Sequence, residues 1–233
     1  NRELICNYRA TARRPSLCRL ENTLTRELIS QNMSQMATPI IMSGSLLKKM
    51  SIHADHPLHA QIFWLGKNKC LRPMLAPHLY YVLKDLLRLW PLPVRIFEVG
   101  PCFRKETQGA RHAEEFTMLN LVEMGLPEAS REDRIRELGK RVLNAAQIDD
   151  FHFETVSSEV YGETIDIAAG QNSLEVGSAA MGPHPLDIPW KIHETWIGIG
   201  FGLERLLMAG RKTRNLAKLG RRLSYLDGLR LRV

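Results

Sequence analysis

The 233-residue sequence has little cysteine, no long apolar run and no low-complexity stretch, and each shortage closes off a class of protein. Cys6, Cys18, Cys70 and Cys102 are scattered without a CxxC pair. That excludes a disulfide framework and a zinc knuckle and suits a reducing compartment. No run of about 18 uncharged apolar residues is present to span a bilayer, and Arg2, Glu3 and Arg9 stand where a signal peptide needs an apolar core. A cytoplasmic protein is expected. Without linkers or fixed-period repeats, and with 44% hydrophobic and 24% charged residues, the chain has the make-up of one globular domain. His53, Asp55, His56 and His59 fit no standard zinc spacing.

What is present is unevenly placed. The net charge is +7, and the segment from Arg211 to Val233 carries all of it: eight basic side chains against Asp227. The other 210 residues hold 24 basic and 24 acidic groups. A local excess of this kind fits a phosphate-backbone partner, although a solvated helix face has the same composition.

Pro15 suits a first helical turn, and Leu17, Leu20, Leu24 and Leu28 then fall at helical steps, predicting an amphipathic helix to about Ile29. The run QMATPIIM reads as a strand carrying Pro39. Leu79, Tyr80, Leu83, Leu86, Leu87 and Trp90 make a second apolar helix face. A third helix is predicted over SREDRIRELGKRVLNAAQI, with Ser130 in its cap region. VRIFEVG, FHFETVSSEV and ETIDIAAG read as extended. The order predicts an α+β fold, a mainly antiparallel β-sheet flanked by helices.

Two stretches carry chemistry. In EFTMLNLVE, alternation puts Phe116, Met118, Asn120 and Val122 on one strand face, apolar except for one amide, with Thr117, Leu119, Leu121 and Glu123 on the other. Asn120 is either satisfied by a neighbour or reads a ligand. In TWIGIGFGLERLLMAG, Trp196, Gly198, Gly200 and Gly202 alternate, so one strand face is nearly bare beside an indole, as a flat ligand requires. Arg205 follows in the first turn of a helix, a poor place for a cation unless it meets an anion or a ring.

These residues resemble the class II aminoacyl-tRNA synthetases. The Arg104-x-Glu106 strand, polar loop and aromatic return strand are similar to motif 2, GFGLERLL to motif 3, and the helix ending in ATPII to motif 1, whose proline lies at a dimer interface. LRPMLAPHLYYVL, EEFTMLNLVEMG, VYGETIDI, GSAAMGPHPLD and SYLDG, in that order, resemble the pyrrolysine-specific members, in the forms without a fused N-terminal tRNA-binding domain. The resemblance implies one catalytic domain over 1–233, with an N-terminal helical region at 1–30 and a basic tRNA-contacting segment at 211–233. It also implies ATP with Mg²⁺, a cognate tRNA, a homodimer and a separate N-terminal tRNA-binding protein. The chain opens on Asn1 without an initiator Met, and the likeness implies further N-terminal sequence.

The activity implied is ATP-dependent activation of pyrrolysine, or a related N-ε-acylated lysine, and transfer to tRNA. Arg104 and Arg205 would be the catalytic cations. The nucleotide would meet Arg104, Glu106, His112, Phe116, Met118, Glu175, Ser178, Gly202 and Arg205, with Mg²⁺ on Glu175 and Ser178. The amino acid would occupy a pocket of Met74, Ala76, Leu79, Tyr80, Leu83, Asn120, Val122, Ala180, Trp196 and Gly198, closed by Tyr161. Gln108, Arg111, Lys218, Arg221 and Arg222 would contact tRNA. His78, Ala113 and Val122 depart from residues common in the family. A class II enzyme for another amino acid, such as phenylalanine, and a non-catalytic RNA-binding paralogue are the alternatives.

Overall fold

The computed structural model describes residues 2–105, 113–158, 160–170, 173–211 and 215–231, and the main chain alone at Ala217. Helices α1 (Arg2–Thr11) and α2 (Ser16–Ser30) open the chain and lead to the short strand β1 (Ser34–Gln35). Pro15 occupies the N-cap of α2, and Leu17, Leu20, Leu24 and Leu28 are all buried, as their spacing predicts. Strand β2 (Ile41–Ser43), helices α3 (Gly44–Lys49) and α4 (Pro57–Ala60), and strands β3 (Trp64–Gly66) and β4 (Lys69–Leu71) follow, with the strands forming a small sheet ordered β2-β4-β3. The single strand expected over QMATPIIM is therefore two short ones, and Pro39 lies in the irregular link between them. A proline in that link leaves no ladder hydrogen bond unmade.

Helix α5 (Ala76–Leu86) precedes the hairpin of β5 (Val94–Phe103) and β6 (Glu115–Met124). Then come α6 (Arg131–Ala145), strands β7 (Phe151–Ser158), β8 (Gly162–Ala169), β9 (Leu174–Gly182) and β10 (Trp196–Gly202), and helix α7 (Leu203–Gly210). A ribbon of β11 (Tyr225–Leu226) and β12 (Leu229–Arg230) completes the described chain. The large sheet runs β1-β5-β6-β10-β9-β8-β7 and is antiparallel throughout, except where β1 meets β5. Ser130 is the N-cap of α6, with no side-chain cap bond.

The predicted strand parity separates two cores. Leu119, Leu121, Ile197, Ile199 and Phe201 pack on one face with Leu24 and Leu28 of α2, Leu138 and Val142 of α6, and Leu203 and Leu206 of α7. Each buried leucine there contributes about 1.5–3 kcal/mol relative to exposure. Glu123 shares that face, fully buried, and is held by Arg95 Nε and Arg134 Nε at 2.8 Å each. The opposite face of the sheet meets α5 and encloses the site.

Candidate active site

Register places the informative residues side by side. Asn120 pairs with Gly200 and Val122 with Gly198 across β6 and β10, while Ser178 and Ala180 of β9 lie on the far side of the same glycines. The bare glycine face is therefore the floor of a cavity of about 440 Å³. A Cβ on Gly200 would come within 3.2 Å of Asn120 Oδ1, so the glycine leaves the amide its room. Among the described residues the Asn120 amide has no hydrogen-bond partner.

Every described residue expected to meet nucleotide or amino acid lines this one cavity. Met74, Ala76, Leu79, Tyr80 and Leu83 come from α5 and the link before it; Phe116, Met118, Asn120 and Val122 from β6; Tyr161 from the turn between β7 and β8. Glu175, Ser178 and Ala180 enter from β9, Trp196, Gly198 and Gly202 from β10, Arg104 from the end of β5 and Arg205 from α7. Glu106, Gln108, Arg111 and His112 lie outside the described residues. Lys218, Arg221 and Arg222 are exposed and away from the cavity lining.

The two cations are held differently. Arg104 Nε donates to Pro73 O at 2.9 Å, and its guanidinium carbon lies 5.3 Å from the Phe116 ring centroid. Arg205 Nη1 donates to the Glu175 carbonyl at 3.1 Å and pairs with the Glu175 carboxylate at 3.3 Å. Glu175 and Ser178 are three residues apart, which in a regular strand would point them to opposite faces. A bulge resolves this: Gly177 pairs with Ile167 and Glu175 with Ala168, so β9 spends one extra residue and turns Glu175 onto the face of Ser178. A carboxylate and a hydroxyl facing one cavity form a hard oxygen donor set of the kind Mg²⁺ prefers.

Behind the lining are groups that the sequence reading did not single out. Arg72 and Glu98, each 2% exposed, pair at 2.7 Å. Glu98 also accepts from Thr38 N and Oγ1, at 3.1 and 2.8 Å. Arg72 fills the space above Gly100, where a Cβ would sit 2.1 Å from its Nη2. His78 joins this cluster through Thr38 Oγ1 at 3.3 Å. Burial, helped by Arg72, pushes its pKa below the usual histidine range. At the other end Glu204, buried but itself bordering the cavity, accepts from Thr117 N with both oxygens, at 3.0 and 2.9 Å, and burial raises its pKa above the ordinary carboxylate value. Cys102, opposite Phe116, is buried and its thiol pushed up to about 12, which makes it inert packing.

The architecture and the cavity are matched by known proteins. Residues 6–227 match the family model described as "tRNA synthetases class II core domain (F)". The whole chain superposes on the crystal structure of pyrrolysyl-tRNA synthetase from Desulfitobacterium hafniense, with 50% identity and a TM-score of 0.93, covering 82% of that chain. The chain belongs to the pyrrolysyl-tRNA synthetase family of class II aminoacyl-tRNA synthetases. A second structure from Desulfitobacterium hafniense, titled PylSc, a pyrrolysyl tRNA synthetase, is 48% identical with a TM-score of 0.91, again over the whole chain and 80% of that one.

Within this synthetase, the residues that depart from the family pattern have clear surroundings. Val122 faces the cavity, His78 is part of the Arg72 cluster, and Ala113 packs on Met208, Leu216 and Leu219. Leu216 also lines the cavity, so the C-terminal segment supplies part of its wall. Arg221 ties that segment down, donating to Thr117 Oγ1 at 2.9 Å and lying 3.8 Å from Glu115.

Proposed function

We propose that this synthetase activates pyrrolysine, or a related N-ε-acylated lysine, with ATP and transfers it to a cognate tRNA. Asn120 carries the reading: one amide without a partner among the described residues stands in an otherwise apolar part of the cavity, where a side-chain carbonyl would pair with it. A phenylalanine pocket has no use for that amide, and its walls would be filled by groups larger than Ala76, Val122 and Ala180. Leaving the amide unmatched costs about 1–3 kcal/mol, which is the discrimination it offers.

The nucleotide would lie at the other end, with Phe116 against the adenine and Arg205 on its second face. The α-carboxylate of an amino acid, with a pKa of about 3.5, is ionised at neutral pH and attacks the α-phosphate without a general base. Catalysis is then a matter of position and charge. Arg104 would hold the α-phosphate and the carboxylate together, and Arg205 would meet charge on the phosphates. Glu106 and His112 would help to seat the nucleotide. Glu175 and Ser178 would hold Mg²⁺ arriving with ATP, which neutralises phosphate oxygens.

For tRNA, the loop residues Gln108 and Arg111 would meet the acceptor end, and exposed Lys218 and Arg222 would grip phosphates. Arg221, engaged with Thr117 and Glu115, serves the wall of the site as well. A homodimer built near the Pro39 segment, a separate N-terminal tRNA-binding partner and a cytoplasmic setting complete the reading. Among the described residues no helix is long and apolar enough to cross a membrane.

The test is ATP–pyrophosphate exchange. Exchange that depends on pyrrolysine or an N-ε-acylated lysine, and is absent with phenylalanine or lysine, is expected. Exchange supported by phenylalanine alone would establish the alternative, and none with any amino acid would establish a binding paralogue.

A further inference from the structure

Asp187 lies outside the cavity lining, 3% exposed, in the turn of 3₁₀ helix Pro185–Trp190. Three donors converge on its two oxygens. Tyr80 Oη donates to Oδ1 at 3.1 Å, while Trp196 Nε1 and His184 N donate to Oδ2 at 2.8 and 2.7 Å. Tyr80 and Trp196 are two walls of the amino-acid pocket, brought from α5 and β10 onto one carboxylate. The indole also lies against Gly182, where a Cβ would sit 1.9 Å from Nε1.

A phenol has one proton to give, and Tyr80 gives its own to a carboxylate that can only accept. Tyr161, in the turn that closes the pocket, sets its ring edge-on to those of Trp196 and His184, at 6.2 and 5.8 Å between centroids, and both of these residues donate to Asp187.

We propose that Asp187 is a positioning residue of the amino-acid pocket, fixing Tyr80 and Trp196 directly and, through the Trp196 and His184 rings, the Tyr161 side chain that closes the site. The inference rests on the pocket assignment made above and adds to it the group that sets the pocket's shape. Burial raises both phenols well above the usual tyrosine range, so each stays a neutral donor across the working pH.

Asp187→Asn is nearly isosteric but offers only one accepting oxygen. With that oxygen kept for Trp196 Nε1 and His184 N, its NH₂ faces Tyr80, which must turn its proton away, so the bond that holds Tyr80 is lost. In pyrophosphate exchange, Asp187→Asn and Tyr80→Phe should each raise KM for the N-ε-acylated lysine by about 5- to 10-fold. KM for ATP should stay within about twofold, because the nucleotide end is not touched. The double variant should be little worse than Asp187→Asn alone, since one bond cannot be lost twice. Multiplying effects, or an equal rise in KM for ATP, would overturn the proposal. If Asp187→Asn does not fold, Tyr80→Phe decides the same point: a raised KM for the amino acid with an unchanged KM for ATP supports the proposal, and an unchanged amino-acid KM refutes it. A parent enzyme that exchanges while the variants give either refuting result defeats this inference alone; a parent that does not exchange defeats the pocket assignment itself.

Discussion

Arg104 meets the cavity with its charge, while its guanidinium Nε donates to Pro73 O, outside the apolar cores. Arg104→Ala is therefore expected to lower adenylate formation by at least about 100-fold, while thermal unfolding moves by no more than a few degrees. Activity within tenfold of the parent would remove Arg104 from the catalytic role. Glu204 behaves in the opposite sense, since it supports the frame. Its folded pKa is raised from the ordinary 4.5 by burial, so folding favours the protonated form. Its contribution to stability is full below about pH 4.5 and is lost as pH rises through the raised folded value. Glu204→Gln removes that loss, so the variant's melting temperature relative to the parent should climb as pH increases from 4.5. A difference constant with pH would contradict the assignment. Arg104 and Arg205 were legible in the sequence because each sits in a motif with a fixed neighbour. Arg72 and Glu98 were not, because their partners lie far along the chain, and Asp187 was not, because its bond to Tyr80 spans 107 residues while its bond to His184 N reads locally as a helix cap.

At the level of elements, the site is a product of strand register. The alternation of Phe116, Met118, Asn120 and Val122 and the glycines of β10 could be read directly, since period-two parity is a property of sequence once a strand is assumed. The bulge in β9 could not, because nothing in LEVGSA marks Val176 as the extra residue that lets Glu175 and Ser178 share a face. The strand expected through Pro39 was interrupted for a related reason: Thr38 turns its backbone N–H toward Glu98 and its carbonyl toward Arg72, away from any ladder. The contact between β9 and β10 makes a prediction of its own. In Gly182→Ala, the new methyl must displace the Trp196 indole. Overpacking of this kind costs about 1–3 kcal/mol, read as a lower denaturant midpoint, and KM for the amino acid should rise while KM for ATP does not. An unchanged amino-acid KM would show that the indole is not a wall of the pocket.

Over the whole molecule, the sequence placed all the excess charge at the C-terminal end, and the fold divides that segment between two duties. Arg211 is paired with Asp227 and Arg221 with Glu115, while Lys218 and Arg222 stay exposed. Composition could count these charges but not say which were already engaged. Neutralising Lys218 and Arg222 together should flatten the salt dependence of tRNA charging by about 0.7 to 0.9 log units per contact for each tenfold rise in salt, with pyrophosphate exchange unaltered. An unchanged slope would make the segment a solvated face. Neutralising Arg221 should slow exchange as well, because it braces Thr117 beside the site.

The central claim, that Asn120 reads a carbonyl in the substrate side chain, is tested most directly by paired substrates. An N-ε-acylated lysine and an N-ε-alkyl lysine of the same shape but without the carbonyl are compared by kcat/KM for pyrophosphate exchange, in the parent and in Asn120→Ala. The parent should prefer the carbonyl-bearing substrate by about 5- to 150-fold, the equivalent of about 1–3 kcal/mol, and Asn120→Ala should reduce that preference to near unity while accepting bulkier side chains. The same preference in both proteins would contradict the claim and leave Asn120 a structural amide.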